Sequence, residues 1–210
     1  MDICCKVLQD RDQWLTARGQ RIGGSECAAL LGLHPYMTNV DLWRYKAGFA
    51  EPPAVDNEAV KYGAAAEEYI RGLFALDNPE YQLVYHANNI WCNDAFPFAH
   101  ASLDGWLWDK DRRLGVWECK TAEIHSAAEY KKWDGRVPKN YYCQLLWYLA
   151  VTGAEFAVLR AYLRGRRLEI KDYFFERSYA VSDIKMLIDA GVDFWGYVQD
   201  KRTPPLKLGV

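Results

Sequence analysis

The sequence contains no apolar run approaching the ~18 consecutive residues that a membrane-spanning helix needs. Its opening, MDICCKVLQDRDQW, lacks the basic-then-apolar order of a secretory signal, so a cytosolic, membrane-free protein is expected. No C-x-x-C pair occurs among the six cysteines (Cys4, Cys5, Cys27, Cys92, Cys119, Cys143), and no histidine spacing completes a zinc site, which leaves reduced thiols as the reading. A nucleotide-binding phosphate loop is missing too: Gly23 and Gly24 precede a helical stretch without the lysine of a P-loop. Neither sign of charge is in excess. A formal net charge of −2 gives no whole-molecule field favouring a polyanion, so a nucleic acid would have to be held by local basic patches. Such patches exist at Arg18 and Arg21, at Arg112 and Arg113, in KKWDGRVPK, and in RGRR from Arg164 to Arg167.

What the chain has in quantity is apolar surface. With 210 residues, half of them hydrophobic, it can bury a substantial core, and its length fits one domain over residues 1–210. DRDQWLTARG reads as a helix leading into GGSECAALLGL, where Ser25 can cap a helix carrying Cys27 to Leu33 until HPYMTN breaks it. DLWRYKAG is a second helix, capped by Asp41 or Asn39 and stopped at Gly48; AEPPAVDN is a Pro-rich loop; NEAVKYGAAAEEYIRGLFAL is a third helix. The hydrophobic period then changes to two. YQLVYHANNIWC, FAHASLDGWLWD and LGVWECKT read as three strands, with DKDRRLG as the turn between the last two. NYYCQLLWYLAVTG follows as an amphipathic helix ended by Gly153, then strands FAVLRAYL and RLEIKDYFF, a helix from about 182 to 199, and a loose PPLKLGV tail. This order describes an α/β fold: a central mixed β-sheet flanked by helices on its faces.

WECKT puts charge inside a strand. Residues two apart share a face, so Glu118 and Lys120 sit side by side while Trp117 and Cys119 point to the other face. A hairpin return through DKDRRLG can bring Asp104 level with Glu118. Two carboxylates at one point repel unless a cation lies between them, and hard oxygen donors suit Mg²⁺ or Mn²⁺, with the Cys119 carbonyl as a further ligand. An ammonium beside such a site can orient the attacking water or stabilise charge building on a phosphate. Asp, then Glu-x-Lys, therefore points to metal-dependent phosphodiester hydrolysis. The competing reading is a functionless ion pair on an edge strand. His100 and His125 flank the cluster in sequence and could act as acid or base, but a supporting or surface role is the favoured reading of each, since metal-bound water needs no imidazole to become a nucleophile near neutral pH.

SLDG followed by ECKT resembles the PD-(D/E)XK nuclease signature. With RGQRIGGSECAALLGLHPY, DLWRYKAG, YGAAAEEYIR and QLLWYL, the chain from roughly residue 14 to 150 resembles the lambda exonuclease, or YqaJ-type viral recombinase, branch. Leu103 departs from the signature, which often has proline there; that residue shapes a strand and carries no chemistry. The resemblance implies a restriction-endonuclease-like core, with residues 1–58 forming a helical DNA-contacting part and residues 59–200 the catalytic core. It implies that Glu67, or else Glu68, approaches the metals, that Gln144 stands beside Lys120, and that Arg18, Ser25 and Ser102 hold a terminal 5′-phosphate. For Ser25 the physical rationale is the free amides of a capped helix N-terminus, and for Arg18 a charge-assisted fork; an ordinary cap and a surface charge are the alternatives. For Gln144 the alternative is an exposed helix edge, and for Glu67 an ion pair with Arg71. The implied activity is a Mg²⁺-dependent 5′-to-3′ exodeoxyribonuclease, with two ions and Mn²⁺ able to substitute. It would act on linear double-stranded DNA as a homotrimeric ring, release mononucleotides and pass a 3′ overhang to a single-strand annealing protein in phage or prophage recombination. A sequence-specific endonuclease and a catalytically silent DNA-binding module are the rivals.

Overall fold

In the computed structural model, which describes residues 2–51 and 57–209, the chain begins with a strand that its pattern does not announce. This strand, β1 (Ile3–Val7), is exposed along most of its length and so has no alternation to betray it. Helix α1 (Arg11–Gly19) starts at Asp10, whose carboxylate accepts from the Gln13 N–H at 2.8 Å. The helix expected after Ser25 is only a 3₁₀ segment, Cys27–Leu31, and Ser25 does not cap it. Glu26 is the reason: it bends back to accept from the Gly23 N–H at 2.8 Å and pairs with Lys46, winding residues 23–31 into successive tight turns. Helix α2 (Asn39–Lys46) is capped by Thr38, in a reciprocal box with Asp41, and by neither Asn39 nor Asp41. Asn39 is buried and binds the tail instead, donating to Pro205 O at 2.9 Å and accepting from Lys207 N at 2.8 Å. The tail expected to be loose is pinned, because one amide offers backbone-like pairing in both directions. The expected Pro-rich loop lies largely outside the described residues. Helix α3 (Glu58–Asp77) follows, capped by Asn57.

The stretch expected as one strand from 81 to 92 is two. Strands β2 (Gln82–Val84) and β3 (Asn89–Asn93) are separated by Asn88 at φ 57° and belong to different sheets. Strand β3 pairs antiparallel with β1. Only the end of FAHASLDGWLWD is strand, β4 (Gly105–Trp108); the part before Asp104 makes isolated bridges to Ile22 and Trp91. Strand β5 (Leu114–Glu123) carries WECKT, and α4 (Ala127–Lys131), capped by Ser126, is a short helix absent from the sequence reading. Helix α5 (Lys139–Thr152) ends at Gly153 as expected, but Cys143 to Thr152 are all buried, so it is a central rather than an amphipathic helix. Strands β6 (Phe156–Arg164) and β7 (Leu168–Glu176) and helix α6 (Val181–Gln199) complete the chain.

The five-stranded sheet has the order β2-β4-β5-β6-β7. Its pairs are antiparallel except β5 with β6, which are parallel and joined across α4 and α5, so the sheet is mixed and flanked by helices as expected. Alternation along β5 sorts the core. Val116 packs with α5, α6 and the 3₁₀ segment, whereas Trp117 and Cys119 pack with Ile70 and Phe74 of α3. Glu118 and Lys120 therefore face α5. No helix among the described residues is long and apolar enough to cross a membrane.

Candidate active site

Gly105 pairs with Trp117 at the last rung of the β4–β5 ladder, which places Asp104 opposite Glu118 just beyond it. Asp104 Oδ2 accepts from the Cys119 N–H at 3.0 Å, taking the place of the missing strand partner. Glu118 is 1% exposed. Its Oε1 accepts from Lys120 Nζ at 2.5 Å and from Gln144 Nε2 at 2.7 Å, while its Oε2 is buried without a hydrogen-bond partner among the described residues. Gln144 is thus inside the protein and not on an exposed edge.

Glu67 approaches from α3. Its Oε1 accepts from Arg71 Nη2 at 2.6 Å, and Arg71 Nε donates to Asp104 O at 3.0 Å, tying the helix to the strand entry. Glu67 is partly buried and Glu68 is exposed, so of the two candidates Glu67 is on the inner side. The ion pair with Arg71 and the proximity to Asp104 occur together.

The electrostatics record surplus negative charge. Burial, then Asp104, push Glu118 up to about 8 against the pull of Lys120. Glu67 rises to about 7, through burial and then Asp104. Burial works against the Lys120 ammonium, yet Glu118 and Asp104 outweigh it and hold that ammonium above the ordinary lysine range. A cation relieves such a cluster. The donors are hard oxygens, one of them the unpartnered Glu118 Oε2. The Cys119 carbonyl points to the same side as its N–H, toward Asp104, as N–H and C=O of one strand residue do. Among the described residues no three His, Cys, Asp or Glu side chains stand ready as a metal cluster. The set fits an ion such as Mg²⁺, which takes one or two carboxylates and keeps much of its water shell.

The cluster makes the metal-free fold sensitive to pH. Glu118 holds its proton more tightly folded than unfolded, so stability falls as pH rises from the ordinary 4.5 toward about 8. Urea unfolding in EDTA should give a lower midpoint at about pH 8.5 than at about pH 5, and Glu118→Gln should shrink that difference to the part contributed by Glu67. An unchanged difference in the variant would contradict the assignment.

Beside this cluster, Arg18 Nη2 donates to Ser25 Oγ at 3.3 Å, and its guanidinium lies 4.2 Å from the Trp14 ring centroid. Trp14 Nε1 donates to Ser102 Oγ at 3.0 Å, and Ser102 Oγ donates to Asn89 O at 2.8 Å. Arg18, Ser25 and Ser102 therefore converge, through a tryptophan that the sequence reading passed over. Its signal was the i, i+4 spacing of Trp14 and Arg18 on one helix face. Below the turn, the buried side chain of Lys46 donates to Arg18 O at 3.2 Å and Arg21 O at 2.7 Å while paired with Glu26 at 2.9 Å. The formal charge here comes from side chains, since the segment after Ser25 is a short 3₁₀ turn and not a full helix.

Neither His100 nor His125 makes a hydrogen bond or ion pair to Asp104, Glu118 or Glu67 among the described residues. His100 is buried, and burial, then Arg18, Lys46 and Arg21, hold its pKa well below the usual range. His125 is exposed beside Glu123. Trp43 is 7% exposed and donates to Tyr197 O, so it is a core residue, whereas Tyr36 is 93% exposed. The Arg113 cation of a basic cluster is engaged by Asp109 and Glu176.

Residues 13–155 match the family model described as YqaJ-like viral recombinase domain. A Bacillus subtilis (strain 168) protein described as uncharacterized protein YqaJ is 29% identical over 187 residues, covering 88% of this chain. The match covers 55% of that relative, so the chain spans about half the length of the curated relative it matches. Among solved structures, an alkaline exonuclease (LHK-Exo) from Laribacter hongkongensis superposes with a TM-score of 0.67 at 17% identity, over 91% of this chain and 94% of that one. The same enzyme in complex with dAMP gives 0.68 at 16% identity, with the same coverage. A phage-related exonuclease from Haemophilus somnus 129PT gives 0.56 at 12% identity, over 89% and 98%. At these identities the likeness is one of fold, and that fold is restriction-endonuclease-like.

Proposed function

We propose that this chain, which belongs to the YqaJ-like viral recombinase domain family, is a Mg²⁺-dependent 5′-to-3′ exodeoxyribonuclease acting on linear double-stranded DNA. The observation that carries this reading is the buried Glu118 carboxylate, shared by Lys120 and Gln144 and set beside Asp104, with one oxygen unpartnered. Asp104, Glu118 and the Cys119 carbonyl would hold the metal, a second ion would draw on Glu67, and Mn²⁺ would substitute. Bound there, the ion supplies Lewis-acid charge and makes water a nucleophile near neutral pH. Lys120 points its ammonium at the attacked phosphate and stabilises the negative charge that develops on it. Gln144 fixes the Glu118 carboxylate by donating to Oε1, which leaves Oε2 for the ion. Arg18, Ser25 and Ser102 anchor the terminal 5′-phosphate. Residues 1–58 supply Arg18 and Ser25 of this anchor, and residues 59–200 supply Ser102 and the catalytic core of one domain.

Repeated cleavage from the 5′ end releases mononucleotides and leaves a 3′ overhang. The likeness to an alkaline exonuclease solved with dAMP supports the mononucleotide product. A homotrimeric ring around the duplex would keep a chain of net charge −2 on its substrate by enclosure instead of attraction. The setting is phage or prophage recombination in the host cytoplasm, with a single-strand annealing protein receiving the overhang.

Linear duplex labelled separately at its 5′ and 3′ ends, with and without Mg²⁺, tests the proposal together with closed circular plasmid. Early release of 5′ label as mononucleotide, only with metal, and an intact circle are expected. Cleavage of the circle would indicate an endonuclease, and no cleavage of either a silent binding module. Arg18→Ala should lower the ratio of rates on phosphorylated and hydroxyl ends by about tenfold or more, the worth of a hydrogen bond to a charged group. An unchanged ratio would remove Arg18 from the pocket.

A further inference from the structure

Tyr148 lies one helical turn after Gln144 on α5 and is 4% exposed. Its Oη accepts from Gln144 Nε2 at 2.9 Å, and the same Nε2 donates to Glu118 Oε1 at 2.7 Å. Both amide hydrogens are thereby committed. A flipped Gln144 would turn its carbonyl oxygen toward the Glu118 carboxylate, which therefore sets the orientation of the amide, while the contact to the Tyr148 hydroxyl fixes where the amide sits.

The Tyr148 ring has a second neighbour. A Cβ on Gly24 would lie 2.3 Å from Tyr148 Cε1 and 2.8 Å from Cζ, so the turn next to Ser25 rests directly on the ring, and only glycine fits. The ring is boxed in by the core around α5 and cannot retreat cheaply. One side chain thus touches the backbone that carries Ser25 and the amide that orients Glu118.

We propose that Tyr148 is a positioning residue that sets the span between the terminal-phosphate pocket at Arg18 and Ser25 and the cleavage site at Glu118 and Lys120. It thereby determines how strongly a phosphorylated 5′ end is preferred. This rests on the exonuclease reading above. The phenol oxygen acts through Gln144 on the rate of cleavage; the ring acts through Gly24 on recognition of the end.

Four variants separate the two halves: Tyr148→Phe, Tyr148→Leu, Gly24→Ala, and Gly24→Ala with Tyr148→Leu. Binding is read in EDTA as the anisotropy of duplexes ending in 5′-phosphate or 5′-hydroxyl, and cleavage as kcat and KM with Mg²⁺ on both. Tyr148→Phe keeps the ring, so it should leave the binding preference within about twofold and lower kcat about tenfold, with KM little changed. Tyr148→Leu and Gly24→Ala should each reduce the preference at least about fivefold, and the double variant should recover part of it because leucine makes room for the new methyl. The proposal is overturned by an unchanged kcat in Tyr148→Phe, by a preference that survives Gly24→Ala, or by effects that simply multiply in the double variant. Thermal unfolding shows which variants fold; if Tyr148→Leu does not, the nearly isosteric Tyr148→Phe and the Gly24→Ala preference still decide. A wild-type chain that prefers phosphorylated ends in EDTA but cleaves nothing with Mg²⁺ would sink the nuclease reading, and the binding arm would still judge Tyr148.

Discussion

Glu118→Gln should reduce Mg²⁺-dependent digestion of linear duplex by about a thousandfold or more, through loss of the metal and of the charge stabilisation it supplies. The substitution keeps the shape of the side chain and removes its charge. Folding should not suffer. Glu118 is 1% exposed, and burial and Asp104 keep it protonated up to about pH 8, so the amide replaces a side chain already neutral in the folded protein and spares it the cost of taking up a proton that the unfolded chain releases. Higher urea resistance combined with lost activity is what separates a functional carboxylate from a structural one. Lys120→Ala should also abolish most activity, but it strips Glu118 of a partner and leaves a buried carboxylate less compensated. An active Glu118→Gln protein would remove the residue on which the site assignment depends.

Arg160→Met should destabilise the fold by about 3–5 kcal/mol, the range for breaking a buried ion pair from one side. Arg160 is 3% exposed on β6, with Nε at 2.8 Å and Nη2 at 2.7 Å from the Asp172 carboxylate on β7. Its Nη1 donates to Asp77 at the end of α3 at 2.8 Å, and the guanidinium lies 4.8 Å from the Phe74 ring centroid. This cation joins two strands to the helix that carries Glu67. The partners should respond unequally: Asp77 has a 55% exposed side chain and Asp172 a 21% exposed one. Asp77→Ala should therefore cost about 1 kcal/mol or less, as at a surface pair, and Asp172→Ala clearly more. Urea midpoints at constant m-value measure all three, and equal losses for the two aspartates would contradict the asymmetry.

Where pattern and burial coincide, the structure was readable in the sequence. The alternation in β5 put Glu118 and Lys120 on one face and Trp117 and Cys119 on the other, and the packing agrees. The turn before β5 brought Asp104 level with Glu118. Contrast decided what was readable: β1 is mostly exposed and was not seen, while α5 was seen as a helix ending at Gly153 but was taken as amphipathic, although Cys143 to Thr152 are all buried. The split between β2 and β3 rests on one left-handed asparagine, Asn88, which no period reveals. Caps were misjudged where a neighbour competed, Thr38 for α2 and Glu26 beneath Ser25. The pinned tail depends on Asn39 meeting residues far away in the chain, which local patterns cannot encode. The convergence of Arg18, Ser25 and Ser102 was reached through family resemblance, because only the folded chain brings Trp14 between them.

The central claim is that Asp104 and Glu118 gather a divalent cation, and Mn²⁺ binding followed by electron paramagnetic resonance and calorimetry tests it without any cleavage step. Wild-type protein should bind Mn²⁺ more tightly as pH rises toward about 8, levelling off once Glu118 has given up its proton, and Mg²⁺ should compete. Asp104→Asn and Glu118→Gln should each lose that binding. Equal Mn²⁺ binding by wild type and both variants, or none by any of them, would contradict the account.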